Sequence, residues 1–459
     1  MARRLFGTAG IRGGTNVDIT PRLCLEITQA FGTWVRRRRK STGRIGVAHD
    51  TRFGARAFAQ AAISGAAASG NDVVDYGILA SGPFSVNISQ SNADGGVMIT
   101  GSHMPYDRIG ILLFVEDGSS APFDVTDQVE SLFETGDLLR VKPEEIGQIH
   151  QGASPGEVYA AEVLRHVDRK AIAARRLRVL VDPANGAAST LAREIFERAG
   201  CEVVSINAGF QPIPNRPSEP RAHTVEEARN IAKVLKLDMG VCLDVDADRS
   251  LFVTSRGEAL SEDAVGALFA HSELKPGDVC VVPVNSSGLI EYVAQRTGAR
   301  LEYCRIGQPE TIKAVKTLKA VYSYEESGKY YFARNFPWAD GIFSGLKMLE
   351  ILAKERRSLP ELADSLPAFH QVKDSVPVPE ERKASVFQEA VRQIREGGGG
   401  PGVRDVEMDG FKRVFKDHAW LLVRPSGTEP LIRVFSDATS VARAQELVKA
   451  GLAAVKKAL

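Results

Sequence analysis

The residues best suited to chemistry in this 459-residue chain are a serine, three aspartates and several arginines, all in short motifs near apolar runs. Leu243–Ser250 reads LDVDADRS, with Asp244, Asp246 and Asp248 two residues apart after the apolar stretch Met239–Leu243. On a tight loop, three carboxylates at that spacing converge on one hard cation that takes oxygen ligands. An EF-hand would need Gly at the sixth position and Glu at the twelfth, where this chain has Arg249 and Ser255. A plain acidic surface loop is the weaker alternative, because clustered carboxylates without a counter-charge repel. Arg249 beside them suits an anionic phosphate, which a guanidinium grips with two parallel bonds.

Gly95–Gly110 reads GGVMITGSHMPYDRIG. Its pattern predicts a strand over Val97–Thr100 that runs into Gly101, Ser102 and His103, and strand ends in α/β proteins gather reacting groups. Alone, Ser102 reads more simply as a turn serine, and His103, Met104 and Pro105 after it exclude the G-x-S-x-G elbow of acyl hydrolases. Val423–Arg433, VRPSGTEPLIR, offers Arg424, Ser426, Gly427, Thr428 and Arg433. Guanidinium groups, hydroxyls and turn N–H groups together make a phosphate cradle, with a plain Pro/Gly turn as the alternative. In Tyr322–Gly328, YSYEESG, Glu325 and Ser327 could bond sugar hydroxyls. Arg12, in FGTAGIRG at Phe6–Gly13, belongs to a second candidate anion loop. There is no P-loop and no HExxH, and G-x-G-x-x-G occurs only within the glycine run 397–402, so nucleotide binding is not indicated.

The elements that must position these residues recur as strand, helix, strand. Arg44–Ala48, Ala55–Ser69 and Asp72–Tyr76 form one such unit. Leu177–Val181, Ala188–Ala199 and Glu202–Ile206 form a second; Asp278–Val284, Gly288–Thr297 and Leu301–Cys304 form a third. Alternation of this kind predicts parallel α/β layers. Spacing on the order of a hundred residues predicts three similar α/β domains. Thereafter Val406–Met408 and Lys412–Phe415 read as a hairpin about Asp409–Gly410. His418–Val423 and Leu431–Phe435 read as further strands, and Val441–Ala458 as an amphipathic helix. The expected fold class is therefore α/β, with three similar domains plus a smaller α+β C-terminal domain. The expected boundaries are 1–153 with the serine loop, 154–256 with the aspartate loop, 257–371 with Glu325, and 372–459 with Arg424.

Composition is that of an ordinary globular protein, 44% hydrophobic and 25% charged. A net charge of +1 argues against a nucleic-acid partner. The basic run Arg36–Lys40 reads as a solvated helix end. No apolar run has the length of a membrane span. Cys24, Cys201, Cys242, Cys280 and Cys304 are odd in number and scattered, which suggests reduced thiols. Met1–Gly10 lacks the apolar stretch of a signal peptide. A cytoplasmic enzyme is expected.

Taken together and in order, the motifs resemble those of the α-D-phosphohexomutase family of phosphoglucomutases, phosphomannomutases and phosphoglucosamine mutases. FGTAGIRG resembles the family's FGTSGIRG, ITGSHMP at Ile99–Pro105 its serine loop T-A-S-H-N-P, and DVDADR its metal loop D-G-D-A-D-R. EESGK resembles the sugar loop G-E-x-S-G-H, and RPSGTEP matches the phosphate loop. VAHDTR at Val47–Arg52, VDPANG at Val181–Gly186 and DGI at Asp340–Ile342 are secondary matches. The resemblance implies four domains around one central cleft and a mutase that interconverts sugar 1-phosphate and 6-phosphate. Phosphorylated Ser102 would form a bound sugar bisphosphate, with Mg²⁺ between a phosphoserine oxygen and Asp244, Asp246 and Asp248. Arg424, Ser426, Gly427 and Thr428 would hold the phosphate of the phosphosugar substrate that does not react, while Glu325 and Ser327 grip hydroxyls.

Departures stand beside the matches. Leu112 occupies the place of a lysine implicated in proton transfer, so His103, Arg108, Lys329, Arg12 or a water must compensate. Met104 replaces the loop Asn, and Lys329 the sugar-loop His. The stretch resembling the specificity loop is Arg305, Ile306, Gly307, Gln308 and Pro309, with Arg305 a candidate phosphate contact. These changes keep alternatives open: a non-catalytic phosphosugar binder, a pentose phosphomutase or a metal-dependent phosphatase. The sequence does not encode the sugar or the oligomeric state in any motif.

Overall fold

The computed structural model describes residues 5–398, 402–427 and 429–459, so Thr428 of the expected phosphate cradle lies outside the described residues. The chain forms two compact units. One comprises Met1–Ser261, Gly307–Lys313 and Ser327–Glu361; the other Glu262–Ile306, Ala314–Glu326 and Leu362–Leu459.

The first unit holds two sheets. The larger has the strand order Ile11–Gly14, Arg108–Val115, Gly95–Ile99, Arg44–His49, Asp72–Ile78, Ile149–Gln151. Its last four members pair in parallel, as the alternating pattern predicts. Arg108–Val115 instead runs antiparallel to Gly95–Ile99. Only Thr100–Asp107 joins the two, too short for the crossover of a dozen or more residues that a parallel pair needs. The second sheet repeats the device. Arg178–Asp182 pairs in parallel with Glu202–Ser205 and Met239–Leu243, while Ser250–Val253 returns antiparallel after Asp244–Arg249. Serine loop and aspartate loop are therefore both tight returns between antiparallel strands, anchored at both ends by ladder hydrogen bonds.

Every residue of Gly95–Ile99 and Met239–Leu243 is buried, the pattern of strands covered on both faces. Helix Pro21–Arg39 starts at a Thr20 cap that accepts the Leu23 N–H, with Pro at its first position, and buries Ile27, Phe31 and Val35. Its basic end is spent on ion pairs: Arg37 with Asp137, Arg38 with Glu116 and Arg39 with Asp94. The run is a helix end, as expected, and its charge is locally neutralised.

In the second unit, Val279–Pro283 lies in parallel between Arg300–Cys304 and Tyr322–Glu325. The C-terminal sheet is antiparallel throughout, ordered His370–Pro377, Leu431–Ala438, Trp420–Pro425, Phe411–Val414, Arg404–Glu407. Helices Glu380–Glu396 and Val441–Ala458 pack on it, burying Val386, Ala390, Val448 and Val455 with Val423, Ile432 and Val434. The hairpin turn holds Met408, Asp409 and Gly410, one residue more than the two-residue turn expected. Asp409 and Gly410 have φ of 52° and 138°, which Asp tolerates and Gly allows freely. Polar groups link this sheet to the parallel layer: the Ser287 hydroxyl and the Gly288 N–H donate to Asp437 at 2.5 and 2.7 Å. Among the described residues no helix is long and apolar enough to cross a membrane, and the five cysteines are buried and unpaired.

Candidate active site

Ser102 sits on the serine turn with φ of 49°, the left-handed region that non-glycine residues seldom occupy. A conformation of this kind persists only when its surroundings over-determine it. Asp50 accepts from the Thr100 hydroxyl at 2.8 Å, the Gly101 N–H at 2.9 Å and the Arg52 N–H at 2.9 Å. The Arg52 guanidinium donates to four carbonyl oxygens of the turn: Ser102 at 2.5 Å, and Met104, Pro105 and Arg108 at 2.6 Å. Gly101 is required at its position, since a Cβ there would fall 1.8 Å from an Arg52 nitrogen. VAHDTR marked this segment only as a match; nothing in its residue types told that Asp50 and Arg52 would build the turn's frame.

The turn delivers the serine to the aspartates. Ser102 Oγ donates to Asp244 at 2.9 Å. Asp244, Asp246 and Asp248 are buried, and one oxygen from each lies within 4.8 Å of the others. Asp244 also accepts the Arg249 N–H at 3.1 Å, Asp246 the Ser81 hydroxyl at 3.1 Å, and Asp248 the Lys329 ammonium at 2.6 Å. The second oxygens of Asp246 and Asp248 are buried without a donor. Burial and the neighbouring carboxylates Asp246 and Asp248 hold Asp244 well above the usual carboxylate range. Burial and Asp248 raise Asp246 likewise. Burial also acts to raise Asp248, but Lys329 and Arg249 outweigh it and leave that group low. Three buried carboxylates, two of them with an oxygen that has no donor, fit a divalent cation, which would supply the missing charge.

Cationic side chains surround this cluster. Arg12, on Ile11–Gly14, donates to the carbonyls of Ala9, at 2.7 Å, and Thr100. Burial lowers its pKa against the pull of Asp246 and Asp248. Arg249 pairs with Glu219 at 2.6 Å, and its Nε is buried without a partner. Lys329 reaches Gln308 as well as Asp248, and Gln308 in turn donates to Ser120 at 3.2 Å. His103 Nδ1 lies 3.4 Å from Ser102 Oγ. Burial, then Arg249 and Lys329, push its imidazole down to about 3, so it is neutral near pH 7. Leu112 is buried and lines a small apolar recess with Thr8, Gly10, Gln308 and Pro309. Gly307, with φ of 127°, approaches Thr8 so closely that a Cβ would sit 3.1 Å from its methyl carbon. The Ser327 hydroxyl is buried without a partner.

The remaining expected residues belong to the second unit. Glu325 ends the strand Tyr322–Glu325 and is buried; Arg305 is exposed. Arg424 pairs with Asp409 at 3.0 Å and Arg433 with Glu429 at 2.7 Å. The Ser426 hydroxyl accepts the Glu429 N–H at 3.2 Å, and Gly427 is exposed with open space around it. Lys383, which no motif singled out, ties the loop to helix Glu380–Glu396 through the Ser426 carbonyl at 2.6 Å.

Four family models match along the chain: phosphoglucomutase/phosphomannomutase alpha/beta/alpha domains I, II and III at residues 3–140, 157–257 and 261–369, and the C-terminal domain at 375–453. The chain belongs to the phosphoglucomutase/phosphomannomutase family. It is 35% identical over 459 residues to a phosphoglucomutase/phosphomannomutase of Thermococcus kodakarensis, covering 99% of each chain. It is also 31% identical to a phosphopentomutase of that organism, covering 99% of this chain and 98% of the other. A crystal structure of a phosphoglucomutase/phosphomannomutase family protein from Burkholderia thailandensis superimposes with a TM-score of 0.86 at 23% identity, covering 99% and 97% of the two chains. Like its phosphoglucomutase/phosphomannomutase relatives, the protein is an intramolecular phosphotransferase, an isomerase of carbohydrate metabolism, with three α/β layers and a C-terminal antiparallel sheet.

Proposed function

We propose that the protein interconverts a sugar 1-phosphate and 6-phosphate, with Ser102 as the phosphoryl carrier. The observation that carries this reading is the Ser102 hydroxyl on Asp244, in a strained and fully framed turn beside three buried carboxylates. Transfer from phosphoserine breaks the Ser102 Oγ–P bond as a sugar hydroxyl oxygen bonds to phosphorus and releases its proton; Ser102 Oγ takes up a proton. The sugar bisphosphate then presents its other phosphate, and the reverse step restores phosphoserine. Asp244, Asp246 and Asp248 would hold Mg²⁺ together with a phosphoserine oxygen, and the ion when bound neutralises charge on the transferring group.

Arg12 and Arg249 face the phosphoryl oxygens. Proton exchange with Ser102 Oγ, a task the alkyl chain of Leu112 cannot perform, falls to His103 beside it, to Lys329, Arg12 or Arg108, or to a water. Arg424, Ser426, Gly427, Thr428 and Arg433 hold the phosphate that does not react. Glu325, Ser327 and Lys329 grip sugar hydroxyls, with Arg305 and Gly307 on the adjoining loop. Glu325 and Ser327 suit glucose, mannose and glucosamine alike, and similarity to a phosphopentomutase makes a pentose 1-phosphate the contrasting substrate to test. The protein should be assayed with each 1-phosphate, Mg²⁺ and the matching bisphosphate. Conversion of at least one hexose 1-phosphate to its 6-phosphate supports the proposal, and conversion of the pentose alone contradicts it. No isomer from any sugar, or steady release of inorganic phosphate in its place, contradicts it.

A further inference from the structure

Two features of the second unit meet at one carboxylate. Asp409, on the turn between Arg404–Glu407 and Phe411–Val414, uses a single oxygen twice. That oxygen pairs with the Arg424 guanidinium at 3.0 Å and accepts the backbone N–H of Ile306 at 3.2 Å. Arg424 starts the phosphate loop; Ile306 follows Arg305 in the stretch that resembles the specificity loop. Gly410 lets the turn come this close, because a Cβ there would lie 2.6 Å from the Val423 carbonyl oxygen and 3.1 Å from Arg424 Cβ.

The charge arrangement gives this contact a purpose. Arg424 and Arg433 are directly opposed on neighbouring strands. Like charges in that register repel. Arg433 is neutralised by Glu429 and Arg424 by Asp409, and among the described residues nothing else holds the Arg424 guanidinium. A long side chain with one anchor owes its orientation to that anchor, and fixing it before binding removes an ordering cost from recognition.

We propose that Asp409 is a positioning residue for substrate phosphate, tying Arg424 to the Arg305–Ile306 segment so that both address the same anion. This rests on the reading of Arg424 as a phosphate ligand. Asp409→Asn isolates the charge, since Asn tolerates the left-handed φ of this turn at least as well and keeps an oxygen for the Ile306 N–H. Steady-state kinetics should use whichever sugar 1-phosphate the protein turns over, with inorganic phosphate as a competing ligand. For Asp409→Asn, KM and the inhibition constant of inorganic phosphate should both rise about tenfold, the scale of one charge-assisted contact, with kcat nearly unchanged. Arg424→Ala should do the same, and the double variant should be little worse than either single one.

Wild-type KM in Asp409→Asn would reduce Asp409 to a turn residue and overturn the proposal. A lowered KM would make Asp409 a competitor of phosphate for Arg424 and overturn it equally, as would additive effects in the double variant. Normal KM in Arg424→Ala would remove the phosphate-loop reading and the proposal with it. Loss in Arg424→Ala with no change in Asp409→Asn sinks the proposal alone.

Discussion

Lys412→Met tests the energetics of the second unit where they are most unusual. Lys412 has no exposed surface, and its ammonium lies 4.3 Å from the Tyr303 ring centre and 4.4 Å from that of Trp420. It donates to the Tyr303 hydroxyl at 3.1 Å and the Ser286 carbonyl at 3.3 Å. Glu291, Asp437 and Asp263 favour its charge and Arg404 opposes it, but burial dominates and pushes its pKa from 10.5 down to about 7. The folded group therefore releases its proton first, and between those values the unfolded chain binds more protons. Stability from this group is complete above pH 10.5 and is lost as pH falls to 7. At about 1.4 kcal/mol per unit, the whole window is worth about 5 kcal/mol, and the rise from pH 7 to 9.5 about 3 kcal/mol. Amide exchange of the strand Phe411–Val414, corrected for intrinsic rates, should show wild type gaining about that much over Lys412→Met between the two pH values. A difference that stays constant, or shrinks with pH, would refute the reasoning.

Arg52→Lys supplies a charge but not the fork that gathers four carbonyls. Rapid-quench formation of phosphoenzyme should slow about a hundredfold, as misplaced reacting groups do, with Mg²⁺ affinity preserved. Asp246→Asn removes one of the three negative charges expected around the cation, so Mg²⁺ titrations should show affinity at least about tenfold weaker. In wild type that affinity should rise with pH, because the raised Asp244 and Asp246 must lose their protons to bind. Tyr159→Phe deletes the hydroxyl 2.8 and 2.9 Å from the two oxygens of Asp340, the cap of helix Gly341–Glu355. A buried carboxylate short of a donor costs about 1–3 kcal/mol, which faster amide exchange at Gly341–Gly345 should register.

Much of the fold could be read from residue patterns because it depends on local ones. Helix Gly288–Thr297, strand Met239–Leu243 and helix Val441–Ala458 stand at the expected residues, the helices with clean caps and the strand as an unbroken apolar run. Strand direction could not be read so, since an apolar run looks the same in either sense. Only loop length distinguishes the antiparallel returns at Arg108–Val115 and Ser250–Val253. In the site, the aspartates were visible because three carboxylates at alternate positions are chemically conspicuous. Asp50 and Arg52 were not, because their partners are backbone carbonyls and N–H groups of a turn fifty residues away. Lys329 was visible as a departure from the sugar loop, but its bond to Asp248 joins positions eighty-one residues apart.

The most direct test is the phosphate on Ser102 itself. The purified protein should be incubated with a sugar bisphosphate and Mg²⁺, digested, and the Ser102 peptide weighed by mass spectrometry before and after addition of excess sugar monophosphate. The peptide should gain one phosphoryl group and lose it to the monophosphate, and Ser102→Ala should show neither the modification nor turnover. An unmodified Ser102 peptide in protein that still isomerises the sugar, or full turnover by Ser102→Ala, would contradict the assignment.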